Sequence, residues 1–535
     1  MTTDARNILK PPVSSNFADR ASGRVLIRWR HIAVAGILGT ALTIFTASRL
    51  TFDPSRVVKH HSLSLAGEGT SLASLAVRLT DDQAAPSTFL PLVKGNDALG
   101  ARLRLIEAAE RSIDLKTFLI KPDRAGGLIW LELFEAAERG VRVRLLFDDV
   151  FTTARDDQIA ALDAHPNVEI RAFNPLSRRL PYAVNFMLDF SRVNRRMHNK
   201  AMIVDGAFAI LGGRNIADEY FQIGTDHEFA DFDLLMLGDG VDAVSGAFDL
   251  YWNDDWAVPL NQIAAGDATP LRKAIAAFRA NANTEAFGTY QEAVNSTFLK
   301  SLLAGQIALQ SGRATVVVDD PDKLRLSPGQ GPGAVKDTFY GALAKAEEEV
   351  LILTPYFVPG QEGADFIAAL SRRGVRVKIV TNSLGSTNHA YVHGGYATYR
   401  RQLLAAGVAF HEVRADAPHL VLGLDKPLTM HTKLALIDRR TVFTGSTNID
   451  PRSFLQNSEI GVVIHSKNLA ENILGRIGAA IDPYTFTVVE RPDGHIQWVY
   501  NSAPGSETFH NEPGAGVIAR MLAWFAGWLP VESQL

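Results

Sequence analysis

One stretch of this chain occurs twice, and that repeat restricts the fold more than any other feature. MHNKAMIVDGAFAILGGRNIADEYF, from Met197, and MHTKLALIDRRTVFTGSTNIDPRSF, from Met430, align at a constant offset of 233 residues. His198 answers His431, Lys200 answers Lys433, Asp205 answers Asp438, Gly212 answers Gly445 and Asn215 answers Asn448. The match extends upstream. GVRVRLLFDD (140–149) and GVRVKIVTNS (374–383) each open on a Gly of the kind that closes a helix, then run into β-branched residues that read as a buried strand. SIDLKTFLI, from Ser112, and EVLILTPYF, from Glu349, give each half a further strand, and helix-like runs precede all four. Similarity in one register over this length marks a duplicated domain rather than a short motif met twice.

Alternating helices and strands predict an α/β fold, a mixed sheet covered by helices on both faces. The expected organisation is a basic segment with an apolar stretch over 1–60, a first lobe over 85–265, a connection over 266–287, a second lobe over 288–500 and a tail over 501–535. Apolar residues at 47% and charged residues at 21% suit chains that bury a sizeable core. The net charge of −4 gives no global attraction to nucleic acid, so none is expected as a partner. With no cysteine, disulfides, thiolate metal sites and cysteine nucleophiles are excluded.

Within each copy, His and Lys stand two apart, a spacing that puts both on one face of a strand. The Gly-x-x-Asn turn that follows lets backbone approach a bound anion. One face then offers an imidazole, an ammonium and a carboxamide, which suits phosphodiester chemistry. Lysines and asparagines neutralise nonbridging oxygens, one imidazole attacks phosphorus, and the other serves as acid and then base. A single H-x-K pair is usually just a partly exposed strand; two in register, each with its Asp and Asn, are not. A metal is not expected, because a lysine beside each histidine repels a dication and no acidic ligand cluster accompanies them.

H-x-K-x-x-x-x-D twice, each followed by G-x-x-N, resembles the phospholipase D superfamily. GSTNIDPRSFLQNSE (445–459), together with RRMHNKAMIVDGAFAILGGRNIADEYF, VHGGYATYRRQLLAAGV and the closing WLPVE, is similar to the bacterial cardiolipin synthases, most of all their C type. The resemblance covers about residue 85 to the C-terminus. It implies a monomer of two αβα sandwich lobes related by pseudo-twofold symmetry, no cofactor, and a phosphohistidine intermediate. It further implies transfer of a phosphatidyl group to the glycerol hydroxyl of phosphatidylglycerol, with phosphatidylethanolamine a candidate second substrate, at the bacterial inner membrane. His198 is the implied nucleophile and His431 the acid and base, with the reverse assignment open. Lys200, Lys433, Asn215 and Asn448 would hold phosphate, and Glu228 and Glu459 would orient the imidazoles. Asp205 and Asp438 complete the catalytic motifs but read as holding the loop after the strand. One departure stands out: Asp218 is displaced by one from the register of Asp450.

Several other segments raise expectations. Ile32–Ala47 is uncharged and follows Arg20, Arg24, Arg28 and Arg30, which favours an anchor helix with a cytoplasmic N-terminus over a signal peptide or a buried core helix. Residues 174–196 mix aromatics with five arginines and could touch lipid headgroups. His393 and Tyr356 are candidate pocket residues, with core packing the alternative; Asp148 and Asp149 could bond a headgroup or a motif lysine. Gly516–Pro530 is apolar and suits either an interfacial helix or packing on the body. The rival functions are a phospholipase D that uses water, a nuclease of the same superfamily, and an inactive membrane scaffold.

Overall fold

The structure, a computed structural model, describes residues 60–80, 86–418 and 426–527, apart from 225, 282, 305, 503 and 504, with scattered positions between 31 and 42. The expected anchor, Ile32–Ala47, therefore falls largely outside the described residues. Among those described, no helix is long and apolar enough to cross a membrane. Two compact units emerge. Met1–Phe52 with Ser177–Phe190 form one, in which the Asn185 amide ties its helix, Tyr182–Leu188, to the carbonyls of Ser177, Leu180 and Pro181. Asp53–Leu176 with Ser191–Leu535 form the other and hold both copies of the repeat.

In the larger unit the β-branched runs become one continuous sheet of 18 strands. Its first half runs, from the outer edge, through Ala257–Pro259, Val168–Phe173, Arg142–Asp148, Ser112–Thr117, Ala201–Val204, Phe208–Gly212, Asp233–Gly238 and Ser87–Leu92. Its second half begins with Gln310–Val318 and continues through Ile460–His465, Thr441–Gly445, Leu434–Ile437, Glu349–Leu353, Arg376–Asn382 and Ala409–Val413. The strand order and the mixture of parallel and antiparallel neighbours repeat from half to half. Thr485–Glu490 takes the outer place that Ala257–Pro259 has in the first half, and two further strands, Ile496–Ser502 and Gly505–Phe509, extend only the second half.

The halves meet where Ser87, Thr88 and Phe89 pair antiparallel with Gly312, Ser311 and Gln310. Equivalent edge strands joined antiparallel are what a twofold axis through the seam requires. The seam is short, and side chains close it. Helix Gly240–Trp252 contributes Val244, Phe248 and Trp252, and helix Lys467–Tyr484 contributes Leu469 and Ile473, to one apolar cluster drawn from both halves. At roughly 1.5–3 kcal/mol for each large apolar side chain fully buried, this cluster outweighs the three seam pairs and holds the lobes in one arrangement. The Tyr251 hydroxyl adds a hydrogen bond to the Asp319 carbonyl across the seam, 2.6 Å.

Both helix-closing glycines sit where expected, Gly140 at φ +94° and Gly374 at φ +97°, the left-handed geometry that glycine adopts without steric cost. Asp205 and Asp438 share an unusual backbone, each at φ +50°. Each carboxylate accepts three consecutive backbone N–H groups, from Glu110, Arg111 and Ser112 and from Glu347, Glu348 and Glu349. These bonds offset the strain and pin the motif strand to the start of its neighbour.

Candidate active site

The motif histidines lie just ahead of their strands rather than on them, in the segments leading into Ala201–Val204 and Leu434–Ile437. That placement puts each against the opposite half. The His198 N–H donates to the Ser458 carbonyl at 2.9 Å, and the His431 N–H donates to the Ala230 carbonyl at 2.7 Å. Met197 bridges Ser458, while Leu428–Met430 pairs in parallel with Glu228–Ala230. Two short ladders, exchanged between the lobes, thus carry both histidines to one place.

The side chains continue the exchange. His198 Nδ1 is 2.9 Å from a carboxylate oxygen of Glu459, and His431 Nδ1 is 2.6 Å from Asp231 Oδ2. All four residues are buried. A carboxylate accepts, so each Nδ1 carries the proton and each Nε2 keeps its lone pair; that of His431 lies 3.1 Å from Lys433 Nζ. Asp319 fixes the Glu459 backbone N–H at 3.2 Å, and the Ser446 hydroxyl donates to the Glu459 carboxylate. Lys200 Nζ turns back to the His198 carbonyl at 2.6 Å, and Lys433 Nζ to the His431 carbonyl at 2.5 Å, so each ammonium stays on its imidazole's side. Both lysines act electrostatically on both histidines, which makes the four one cluster.

Burial sets the protonation of this cluster. It pushes Lys200 down to about 7 and Lys433 down to about 8, against the pull of Glu459 and Asp231. Burial, then Lys433, lowers His431 to about 3, and burial and both lysines hold His198 well below the usual imidazole value. The carboxylates differ. Burial drives Glu459 up to about 7. Burial acts on Asp231 in the same direction, but His431 and Lys433 overcome it and keep that group below the ordinary carboxylate value. Near neutrality the site presents neutral imidazoles, one beside an ionised carboxylate and one beside a carboxyl near its midpoint.

Asp231 takes the position for which Glu228 was expected. The Glu228 carboxylate instead meets Lys426 at 3.2 Å, away from the imidazoles. The reason is a length difference. Gly212 pairs with Asp233 and Gly445 with Gly461, so five more residues separate the turn from the next strand in the first copy. Asp231 lies two residues before Asp233, the partner of Gly212, and Glu459 lies two residues before Gly461, the partner of Gly445. Glycine serves packing at the turn as well: a Cβ on Gly213 would stand 2.3 Å from Asp231 Oδ1, and one on Gly445 would stand 2.2 Å from the Ile460 carbonyl.

Asn215 and Asn448 lie buried within the turns, and each leaves its amide oxygen without a hydrogen-bond partner. An amide's two ends exchange by a simple flip, so each half keeps one uncommitted carboxamide end, a costly feature unless a ligand completes it. Asp205 and Asp438, expected within the catalytic motif, do not reach the histidines. Six residues separate each from its histidine along a largely extended segment, about 20 Å, and their oxygens are used by the backbone bonds described above.

Other expectations divide. The Asp148 carboxylate accepts from the Met197 N–H at 2.9 Å and pairs with Arg196 at 3.1 Å, so it positions the residue before His198 and binds no motif lysine. Asn382 does the same for Met430 at 2.9 Å. Asp149 accepts from the Leu176 N–H at 2.8 Å. Arg195 and Arg196 turn inward to carbonyls and Asp148 rather than outward. Asp218 caps helix Arg124–Glu138 by accepting from the Ala125 N–H, whereas Asp450 caps the Arg452–Gln456 turn by accepting from the Ser453 N–H; the displaced aspartates hold different elements.

His393 faces the C-terminal segment, 3.4 Å from the Glu512 carboxylate, not the phosphate cluster. His393, Glu412 and Glu512 have a ligand-like spacing. However, Arg400 donates to both carboxylates at 2.8 Å, and Tyr396 and Trp498 complete Glu412, so the trio reads as an ion-pair network. Tyr356 donates to the Asn388 side chain at 2.8 Å and lies tilted against His389, ring centres 5.5 Å apart. Aromatic neighbours of the imidazoles were not anticipated. Phe118 meets His198 edge-on at 4.8 Å, and Tyr220 meets His431 edge-on at 5.1 Å, with Phe229 at 5.3 Å.

Comparison with known proteins agrees with this arrangement. A family model described as "Cardiolipin synthase, PLD-like domain" matches residues 103–230 and 340–477, once in each half. Cardiolipin synthase C of Escherichia coli (strain K12) is 36% identical over 475 residues, covering 86% of this chain and 99% of that protein. A cardiolipin synthase of Oceanobacillus iheyensis is 24% identical over 394 residues, 73% of this chain and 68% of that protein. Among solved structures, the phosphatidylserine synthase of Haemophilus influenzae Rd KW20 shares the fold, with a TM-score of 0.56 at 14% identity, over 86% of this chain and 100% of that one. By its duplicated motif, its fold and these relatives, the chain belongs to the phospholipase D-like family of the cardiolipin synthases.

Proposed function

We propose that this chain is a phosphatidyltransferase that forms cardiolipin by moving a phosphatidyl group to the glycerol hydroxyl of phosphatidylglycerol. The observation that carries this reading is the reciprocal pairing of two buried imidazoles, each held by a carboxylate from the other half. One half alone has a histidine but not its carboxylate.

In this reading the donor phosphate lies among Lys200, Lys433, Asn215 and Asn448, which neutralise its nonbridging oxygens as charge shifts in the transition state. His198 Nε2 attacks phosphorus, forming a P–N bond while the bond to the leaving glycerol oxygen breaks. His431, protonated once the anionic substrate offsets the lysines, gives that oxygen its proton. The acceptor hydroxyl then loses its proton to the neutral His431 and attacks phosphorus, the P–N bond breaks, and His198 is regenerated. The carboxylates support this division. An ionised Asp231 suits a histidine that must become imidazolium, and the ionised form of Glu459, by accepting from His198 Nδ1, leaves Nε2 of a neutral ring free to attack. No step calls on a metal or cofactor. Phosphatidylethanolamine as a second substrate, a monomeric state and residence at the bacterial inner membrane belong to the same proposal.

Lipid extracts of a cardiolipin-deficient host expressing the chain, with and without phosphatidylglycerol, test it by mass spectrometry. Cardiolipin that depends on phosphatidylglycerol and disappears in His198→Ala is the expected result. Phosphatidic acid as the sole product would replace the transferase by a hydrolase.

A further inference from the structure

The C-terminal helix, Val517–Ala526, is packed inside out. It lies on helix Ala390–Ala405 through small residues, with Ala523 and Ala526 buried and Ala519 half-buried. Gly394 permits the approach, since a Cβ there would stand 2.2 Å from the Ala523 carbonyl. The large apolar side chains point the other way. Val517 is 72% exposed, Ile518 75% and Met521 65%, and Leu522 and Phe525 are exposed as well. In water a helix of this composition gains by turning those side chains inward and the alanines outward. The opposite choice leaves a contiguous apolar surface of the kind that marks an interaction site.

Its surroundings indicate what covers it. The helix carries no acidic residue, and its one charge, Arg520, donates to the Glu512 carbonyl near the helix's own start. The supporting helix leads to the catalytic cluster. Gly394 is one turn from Tyr391, which is exposed and lies tilted against His389, ring centres 5.3 Å apart; His389 lies tilted against Tyr356 at 5.5 Å, and the next residue, Phe357, bridges Ile449 beside Asn448. The apolar face is thus fixed to the element whose first turn packs toward the motif turn that holds Asn448. Ten residues span only about 15 Å, half the ~30 Å of a hydrocarbon core, so the helix suits lying in an interface and not crossing it.

We propose that Val517–Ala526 is an interfacial helix that seats the protein on an anionic phospholipid bilayer and brings lipid headgroups to the catalytic cluster. The proposal rests on the phospholipid substrate argued above, and its test separates the two. The absence of cysteine makes the test clean. In the full chain carrying His198→Ala, single variants Ile518→Cys, Met521→Cys and, as control, Lys467→Cys are labelled with an environment-sensitive fluorophore and mixed with phosphatidylcholine–phosphatidylglycerol vesicles. Emission from 518 and 521 shifts to the blue and that from 467 does not. Turnover is measured in parallel in the otherwise unaltered chain. Met521→Glu/Phe525→Glu lowers turnover of vesicle lipid at least about tenfold, the scale of two apolar side chains losing burial, and keeps turnover of a dispersed short-chain phosphatidylglycerol within about twofold. Labels that stay in water while the protein sediments with vesicles overturn the proposal, as does a protein that does not sediment at all. So does a blue shift that grows with protein concentration without vesicles, which would make the face a contact between copies of the chain. Failure of the unaltered chain on the dispersed lipid, with the blue shift intact, would count against the catalytic reading and leave the helix standing.

Discussion

Replacing Asp231 by asparagine tests how the site is wired, because Asp231 and Glu228 are close in sequence and make opposite predictions. The Asp231 carboxylate is buried and accepts from His431 Nδ1 at 2.6 Å, a charge-assisted bond that strengthens as the imidazole gains a proton. Hydrogen bonds to charged groups contribute about 1.5–3 kcal/mol. At about 1.4 kcal/mol per factor of ten, their loss in the transition state slows turnover roughly 10- to 150-fold. A carboxamide can also present its N–H₂ to Nδ1 and favour the wrong tautomer, which raises the cost further. Glu228→Gln disturbs only a pair with Lys426, whose side chain is 44% exposed. Such pairs contribute about 0–1 kcal/mol, so turnover should stay within about fivefold. The assay is the initial rate of product formation on mixed phospholipid vesicles, with circular dichroism to confirm that both variants fold. Equal losses from the two substitutions, or a silent Asp231→Asn, would refute the assignment.

Three further outcomes follow from the same geometry. Binding of a phosphate mimic such as tungstate should weaken as pH rises through about 7 to 8, because Lys200 and Lys433 lose their protons there; calorimetry across pH 6–9, chosen as roughly one unit either side, measures it, and affinity that rises with pH would contradict it. Those depressed values also affect folding. Between about 7 and the ordinary lysine value the unfolded chain binds more protons, so the two lysines add stability as pH climbs, whereas Glu459, raised to about 7, removes stability as pH climbs from its ordinary value to 7. Denaturant titrations of Lys200→Met and Glu459→Gln against the parent isolate the two slopes. Asp438→Ala, which forfeits three backbone hydrogen bonds at a left-handed residue, should lower stability by about 2–4 kcal/mol while leaving the rate per folded molecule near that of the parent at low temperature; a large loss of rate in fully folded protein would give that aspartate a role in the chemistry.

Much of the site was legible because repetition separates chemistry from chance. The constant offset singled out both histidines, both lysines and both asparagines; the structure sets each histidine against the opposite half and buries the asparagines in the turns that follow. Glu459 was legible as well, since it follows its motif without interruption. Asp231 was not, because the stretch from Asn215 to Asp231 is five residues longer than that from Asn448 to Glu459, so distance from the motif does not align the two. Counting backward from the strands, DLLML in the first copy and GVVIH in the second, would have aligned Asp231 with Glu459. His393 shows the converse limit. Its position after a strand end suggested the pocket, but its neighbours come from Glu512 in the tail, a pairing that no local pattern announces. The aromatic rings on the imidazoles were hidden for a similar reason. Phe118, Tyr220 and Phe229 read as ordinary apolar positions until the two halves close around them.

The stereochemical course at phosphorus tests the central claim most directly. A donor phospholipid made chiral at phosphorus with oxygen isotopes is turned over, and the product configuration is read by phosphorus NMR. Two successive displacements through a histidine adduct predict net retention. Net inversion would mean that the acceptor attacks the donor directly, and the paired imidazoles would then need a different explanation.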